Sequence, residues 1–268
     1  MYRQEMASNT FETIEVTRSA GVVSITLNRP ERKNAINQVM WNELLANFHE
    51  IGQSAADRVV VLTGASGDFC SGADLSGGGA GSPDKHQLAS MRHVGDVALA
   101  LARLPQPTIA KVRGVAVGAG CNMALGCDLV VASENARFSQ IFAKRGLSLD
   151  FGGSWLLPRR IGLHKAKELA FFADIINAAE AESIGLVNRV VPDVELDAFV
   201  ENWAQRLAQG PPIALAMTKR LLNNSMNVTL EEALDDEGLS QTVNFSTKDT
   251  GEAMKAFMEK RDPQFKGN

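Results

Sequence analysis

Two short apolar runs, each leading into a cluster of very small side chains, constrain this chain more than any other feature. Residues 58–63, Arg-Val-Val-Val-Leu-Thr, lead to Asp68-Phe-Cys-Ser-Gly-Ala-Asp-Leu75, and residues 108–112 lead to Gly114-Val-Ala-Val-Gly-Ala-Gly-Cys-Asn122. An apolar run of this length, bounded by turn residues, reads as a buried strand. Upstream, residues 11–18 and 21–27 alternate about a Ser19-Ala20-Gly21 turn, as the strands of an antiparallel hairpin do. Residues 37–54 then place Met40, Trp41, Leu44, Leu45, Phe48 and Ile51 at helical spacing. Further buried strands are expected at 110–112 and 129–132, with an apolar helix over about 119–126 between them. Strands alternating with helices imply an α/β fold.

Past Pro192 the pattern changes. Residues 195–208, 212–224, 230–247 and 250–260 all read as helices with no strand between them. The expected organisation is a core over 1–194 and a helical C-terminal subdomain over 195–268. Residues 1–9 are expected to be disordered. The Ser76-Gly-Gly-Gly-Ala-Gly-Ser-Pro83 segment has nothing to anchor a core and is expected to be a mobile surface loop.

With 268 residues, 45% of them hydrophobic, the chain can bury about three quarters of its unfolded surface without a metal or disulfide staple. Its 27 basic and 31 acidic side chains form no long run of one sign, which argues against nucleic acid and against a membrane surface as partners. Three cysteines without paired spacing, Cys70, Cys121 and Cys127, fit buried small hydrophobes better than a disulfide framework or a zinc site. The first ten residues lack the apolar stretch of a signal peptide, and no apolar run approaches twenty residues, so a cytoplasmic location is expected.

Several common active sites are missing. Neither a G-x-G-x-x-G fingerprint nor a phosphate-binding G-x-x-x-x-G-K-[ST] loop is present, and G-x-S-x-G is absent. The four histidines, His49, His86, His93 and His164, have no metal-ligand spacing, and no metal site is expected.

The two small-residue clusters offer a different chemistry. Small side chains let a ligand approach the main chain, and N–H groups at a helix start carry the positive end of its dipole. Two such groups converging on one point can stabilise an oxyanion. Glycine-rich turns are mostly just turns, so spacing alone leaves this open.

In this order, the motifs resemble the crotonase superfamily of enoyl-CoA hydratases, enoyl-CoA isomerases and relatives that act on acyl-CoA thioesters. The resemblance rests on residues 25–36, Phe69-Cys-Ser-Gly-Ala-Asp-Leu75, residues 109–121, Cys127-Asp-Leu129, Gly152-Gly-Ser-Trp-Leu-Leu-Pro-Arg159 and Phe257-Met-Glu-Lys-Arg261, and covers nearly the whole chain. It implies a spiral of ββα units followed by C-terminal helices that serve oligomerisation and active-site capping, in homotrimers or homohexamers. It also implies that the thioester oxygen accepts hydrogen bonds from the backbone N–H of Ala73 and of Ala119, the latter standing where the family usually has glycine. Ser71, Gly72, Asp74, Leu75, Gly120 and Asn122, which lie around those donors, and Phe142 are implied to contact the substrate. Arg32, Lys33 and Ala35 match the stretch that touches CoA, and Lys260, with Phe257, matches a C-terminal segment that reaches CoA, here or in a neighbouring subunit. Asp74 and Asp128 read from the residues as caps of turns or helices rather than as chemistry. No cofactor is implied, since coenzyme A is part of the substrate.

Hydratases of this family use two glutamates to position and deprotonate water. The matching positions here hold Asn122 and Phe142, and neither an amide nor a phenyl ring is a general acid or base at neutral pH. A different carboxylate, Asp150, lies in Gly146-Leu-Ser-Leu-Asp-Phe-Gly-Gly-Ser-Trp155. That stretch resembles the family's double-bond isomerases, including ring-expanding isomerases of phenylacetate degradation, except that Leu149 replaces the usual proline. One carboxylate suffices for a 1,3-proton shift, because the group that takes a proton from one carbon can return it two carbons away. Flanking Leu149 and Phe151, with Phe142 nearby, are expected to desolvate Asp150 and raise its pKa. The competing role for Asp150 is an N-cap of the helix beginning around residues 152–154.

The first reading is therefore an enoyl-CoA isomerase with Asp150 as base and then acid, and Phe142 as an apolar wall. An enoyl-CoA hydratase with altered catalytic groups, an aroyl-CoA dehalogenase with Asp150 as nucleophile, and a catalytically silent acyl-CoA binder remain as alternatives.

Overall fold

The computed structural model describes residues 11–76 and 86–268. The expectations for residues 1–9 and for nearly all of the glycine-rich segment lie outside the described residues.

The hairpin opens the chain as expected. Strands β1 (Ile14–Ser19) and β2 (Val22–Leu27) pair antiparallel from Ile14 opposite Leu27 to Ser19 opposite Val22. The turn places Ala20 and Gly21 at φ of 49° and 81°, the two successive positive values that match the twist of a two-residue hairpin. Helix α1 (Gln38–Gln53) is capped by Asn37, whose side chain accepts from the Met40 N–H. It leads into β3 (Val59–Gly64). After the undescribed segment, α2 (Gln87–Ala102) leads to β4 (Thr108–Val112), β5 (Val115–Val117), α3 (Ala119–Gly126), β6 (Leu129–Ser133) and β7 (Arg137–Ser139). Then come α4 (Gly153–Phe172), β8 (Ile176–Asn177), α5 (Ala178–Ser183) and β9 (Arg189–Val191). The chain finishes with α6 (Leu196–Ala208), α7 (Pro212–Asn224), α8 (Leu230–Phe245) and α9 (Lys248–Glu259).

The strands form two sheets. One has the order β1-β2-β3-β4-β6-β9 and is parallel from β2 onward; the other is β5-β7-β8. Period-two alternation sends the two faces of the large sheet to different partners. Val60 and Leu62 of β3 join one cluster with Trp41, Leu44 and Phe48 of α1, whereas Val59 and Val61 meet Leu196, Val200 and Ala204 of α6. Each fully buried side chain of this size contributes roughly 1.5–3 kcal/mol. The sheet is covered on both sides, and the successive strand–helix turns wind into the spiral that the resemblance implied.

Cys70, Cys121 and Cys127 are buried and unbridged, and burial pushes each thiol up to about 12, which removes them as nucleophiles. No described helix is long and apolar enough to cross a membrane. Among the described residues no cluster of three or more candidate metal ligands occurs.

Candidate functional site

Both small-residue clusters come together just past the C-terminal ends of β3 and β4. The Cys70 N–H donates to Val115 O and the Val117 N–H to Cys70 O, so the first cluster runs as a parallel bridge along β5. On its other side it pairs with Ile36 through Ile36 N–H to Gly72 O (2.8 Å) and Asp74 N–H to Ile36 O (2.9 Å). Because that bridge uses the residues on either side of Ala73, the N–H of Ala73 faces away from it and finds no acceptor among the described residues. The N–H of Ala119 is free for a different reason. Ala119 is the first residue of α3, and the first four N–H groups of a helix have no intrahelical partner.

Glycine makes the approach possible. Gly72 has φ of 101°, and a Cβ there would lie 3.0 Å from Val117 O and 3.7 Å from the Ala119 nitrogen. A Cβ on Gly120 would come within 2.5 Å of Cys70 O and 2.7 Å of its sulfur. Gly118, with φ of 56°, turns the chain from β5 into α3, and a Cβ there would sit 3.8 Å from Cζ of Phe142. The buried Phe142 ring thus stands at the residue before the Ala119 amide.

Asp150 is half-buried and does not cap α4. The N-cap is Gly152 with no side-chain hydrogen bond, and it is the Asp150 carbonyl, not its carboxylate, that accepts the Gly153 N–H. Oδ1 of Asp150 is buried without a hydrogen-bond partner among the described residues. Desolvation raises its pKa from 3.8 to about 6, the direction expected from its apolar neighbours. The turn after it is tight: Phe151 and Gly152 have φ of 46° and 78°, and the Phe151 ring stacks on Trp41 with centroids 5.5 Å apart.

Asn122 is expected among the substrate-contacting residues, but the structure turns it inward. It is 0% exposed, its Nδ2 donates to Asp150 O (2.9 Å), and its Oδ1 accepts from Nε2 of Gln140 (2.9 Å). Asn122 lies three residues beyond Ala119, about 4.5 Å of helix rise, so its bond to Asp150 ties the carboxylate-bearing turn to the helix end that carries the free amide.

The enoyl-CoA hydratase/isomerase family profile matches residues 17–268. The chain belongs to the enoyl-CoA hydratase/isomerase family. It is 38% identical over 257 residues to a protein named probable enoyl-CoA hydratase in Rhodobacter capsulatus, across 96% of this chain and 99% of that one. It is 37% identical over 250 residues to the 1,2-epoxyphenylacetyl-CoA isomerase of Escherichia coli, across 92% and 95% of the two chains. The crystal structure of an enoyl-CoA hydratase from Bacillus anthracis superposes with a TM-score of 0.91 at 34% identity, covering 96% of this chain and all of that one. This enoyl-CoA hydratase/isomerase family member is thus an acyl-CoA enzyme with the crotonase fold, and its relatives include both hydratases and isomerases.

The loop expected at CoA abuts the first amide. Ser71 donates from its N–H to Lys33 O and from its hydroxyl to Arg32 O, both at 3.0 Å, leaving the Arg32 and Lys33 side chains exposed. Arg29 holds this loop closed through Ala35 O (2.6 Å) and Oδ2 of Asp74 (2.9 Å). Hydrogen bonds from Ser76, together with Arg29, hold the Asp74 carboxyl at about 2, so it serves the turn, as the residues alone indicated. Asp128 is likewise structural, accepting from the Thr108 N–H and pairing with Lys219 at 2.7 Å. Leu75 is half-exposed at the end of the first cluster.

Phe257 is exposed, and among the described residues neither its side chain nor that of Lys260 is hydrogen-bonded or ion-paired to another expected site residue. The tail after α9 is held by Arg58, which donates to Phe265 O (2.9 Å). Arg58 precedes β3, whereas the Ala73 segment follows its far end, about 20 Å away along a six-residue strand.

A cleft of about 430 Å³ lies elsewhere, between the C-terminal halves of α1 and α2, against Phe48, His49, Asp96 and Arg103. It contains none of the expected site residues. Gln140, Arg29 and Trp41 contact these segments, through Asn122, through Ala35 and Asp74, and through Phe151, contacts that the sequence reading did not anticipate.

Proposed function

We propose that this protein moves a carbon–carbon double bond in an enoyl-CoA thioester. The observation that carries the reading is Asp150: a half-buried carboxylate with an unpartnered oxygen and a pKa near 6, while the two positions where hydratases carry glutamates hold an inward-turned amide and a phenyl ring. A carboxylate of that pKa is ionised at neutral pH and a better base than an ordinary one. It takes a proton from the carbon next to the thioester carbonyl of a 3-enoyl-CoA. The charge then spreads onto the carbonyl oxygen, where the N–H groups of Ala73 and Ala119 stabilise it. Asp150, now protonated, returns the proton to the carbon two positions further along and leaves the conjugated 2-enoyl-CoA. Protons and electrons balance within substrate and carboxylate, so this cycle requires no cofactor.

Exposed Arg32 and Lys33 are suited to CoA phosphates. Phe257, 84% exposed, and Met258 leave an apolar face on α9 that fits burial against another copy, in a homotrimer or homohexamer where Lys260 approaches CoA in a neighbour's site. Hydration is the second reading, favoured by the hydratase names of many relatives.

The test supplies a 3-enoyl-CoA and, separately, a 2-enoyl-CoA, following conjugated-thioester absorbance and product mass. Conjugation gained from the 3-enoyl substrate at unchanged mass is expected. Water added to the 2-enoyl substrate, with no isomerisation, would replace the reading with the hydratase.

A further inference from the structure

We infer that Asn122, oriented by Gln140, is the positioning residue that aims Asp150 at the substrate. This inference rests on the reading of Asp150 given above and adds to it the means by which the carboxylate is held.

A group that takes a proton at one carbon and returns it at another cannot be clamped by strong hydrogen bonds of its own, and Oδ1 of Asp150 has no partner among the described residues. Its direction therefore depends on its backbone. The Asp150 carbonyl accepts from two sides: the Gly153 N–H at 2.8 Å, from the first turn of α4, and the Asn122 amide at 2.9 Å, from α3. Two donors occupy both lone pairs of that carbonyl and fix the peptide plane, from which the direction of the following residues, Phe151 and Gly152 with their positive φ, is set.

The orientation of the Asn122 amide is also determined. A carbonyl can only accept, so Asn122 must present its NH₂ to Asp150, and its Oδ1 then requires a donor. Gln140, 2% exposed, supplies it at 2.9 Å. Gly153 completes the fit, since a Cβ there would overlap the Asn122 amide. Asn122 and Gly153 thus converge on one carbonyl, and Gln140 holds the Asn122 amide in the orientation that this requires. A displacement of about 1 Å in a reacting group can cost 10²-fold in rate.

The experiment compares full-length Asn122→Ala, Gln140→Leu, the double variant and Asp150→Asn in conversion of a 3-enoyl-CoA, recording kcat, KM and the pH dependence of kcat. Asn122→Ala is expected to lower kcat about 10- to 100-fold. KM should change less than about threefold and the acidic limb of the kcat profile should move, since the CoA contacts are untouched while Asp150 shifts. Gln140→Leu is expected to lower kcat by about 3- to 10-fold, and the double variant to be no worse than Asn122→Ala alone, because both act through one bond.

If Asn122→Ala does not fold, Asn122→Asp keeps the size but sets an oxygen against the Asp150 carbonyl, and a similar loss is expected. Wild-type kcat and an unmoved acidic limb in the folded Asn122 variant would overturn the inference, as would a lower melting temperature with normal kcat per folded site. Asp150→Asn separates the two ideas. If it is inactive while Asn122 variants are normal, only the positioning role fails; if it turns over normally, the reading of Asp150 fails with it.

Discussion

A Cβ built on Gly72 would stand 3.7 Å from the amide nitrogen of Ala119, so the segments that carry the unpaired N–H groups of Ala73 and Ala119 meet at the start of α3. Both are main-chain groups, so a methyl side chain at Ala119 leaves its N–H in place. Ala119→Pro tests this directly. Proline is well tolerated at the first position of a helix and deletes only an N–H that the helix does not use. The variant is expected to fold and to lose about 10²–10³ in kcat, the usual loss for one oxyanion donor. Ala119→Gly, which keeps the N–H, should stay within a few-fold of wild type. Circular dichroism and steady-state rates on an enoyl-CoA check both.

The Asp150 carboxyl should make the protein less stable as pH rises. Its folded pKa, about 6, is above the ordinary 3.8, so the native state holds this proton more tightly than the unfolded chain does. The destabilisation is absent below about pH 4, develops between 4 and 6, and is complete above 6. Asp150→Asn is therefore expected to stabilise the fold by up to about 3 kcal/mol at pH 8 and by little at pH 4. Urea unfolding at the two pH values measures this, and an equal effect at both would show that desolvation is not the cause of the shift.

The α9 face gives a prediction about assembly. Phe257, Met258 and Met254 are exposed on it, and exposed apolar groups of this size cluster where partners bind. Phe257→Glu is expected to lower the native mass by light scattering and, through loss of the neighbour's Lys260, to raise KM for the CoA thioester. A monomeric wild-type protein with full activity would contradict both.

Much of the core could be read from sequence because it is carried by local pattern. The runs at 59–62 and 109–112 and the spacing of Met40, Trp41, Leu44 and Phe48 needed no long-range information. Helix α4 was harder to bound, since Pro158 lies inside it and Gly162, at φ of 75°, interrupts it. The sheet β5-β7-β8 has strands of two or three residues, too short to show a period.

In the candidate site, Asp150 stands out in the sequence as a carboxylate, while its surroundings were only partly legible. The stacking of Trp41 on Phe151, and the line from Gln140 through Asn122 to the Asp150 carbonyl, join residues 18 to 110 positions apart. Nothing in local composition tells an amide facing substrate from one facing a carbonyl. The one available signal was Gly153, a glycine at a helix start where a larger residue would meet Asn122.

The most direct measurement is the rate at which Asp150→Asn converts a 3-enoyl-CoA to the conjugated isomer, set against wild type at pH 7.5 with binding of CoA measured in parallel. Asparagine keeps the shape and loses the base. Loss of at least about 10²-fold in kcat with unchanged CoA affinity is the predicted result, the lower end of the usual general acid–base contribution. Turnover at the wild-type rate would contradict the account.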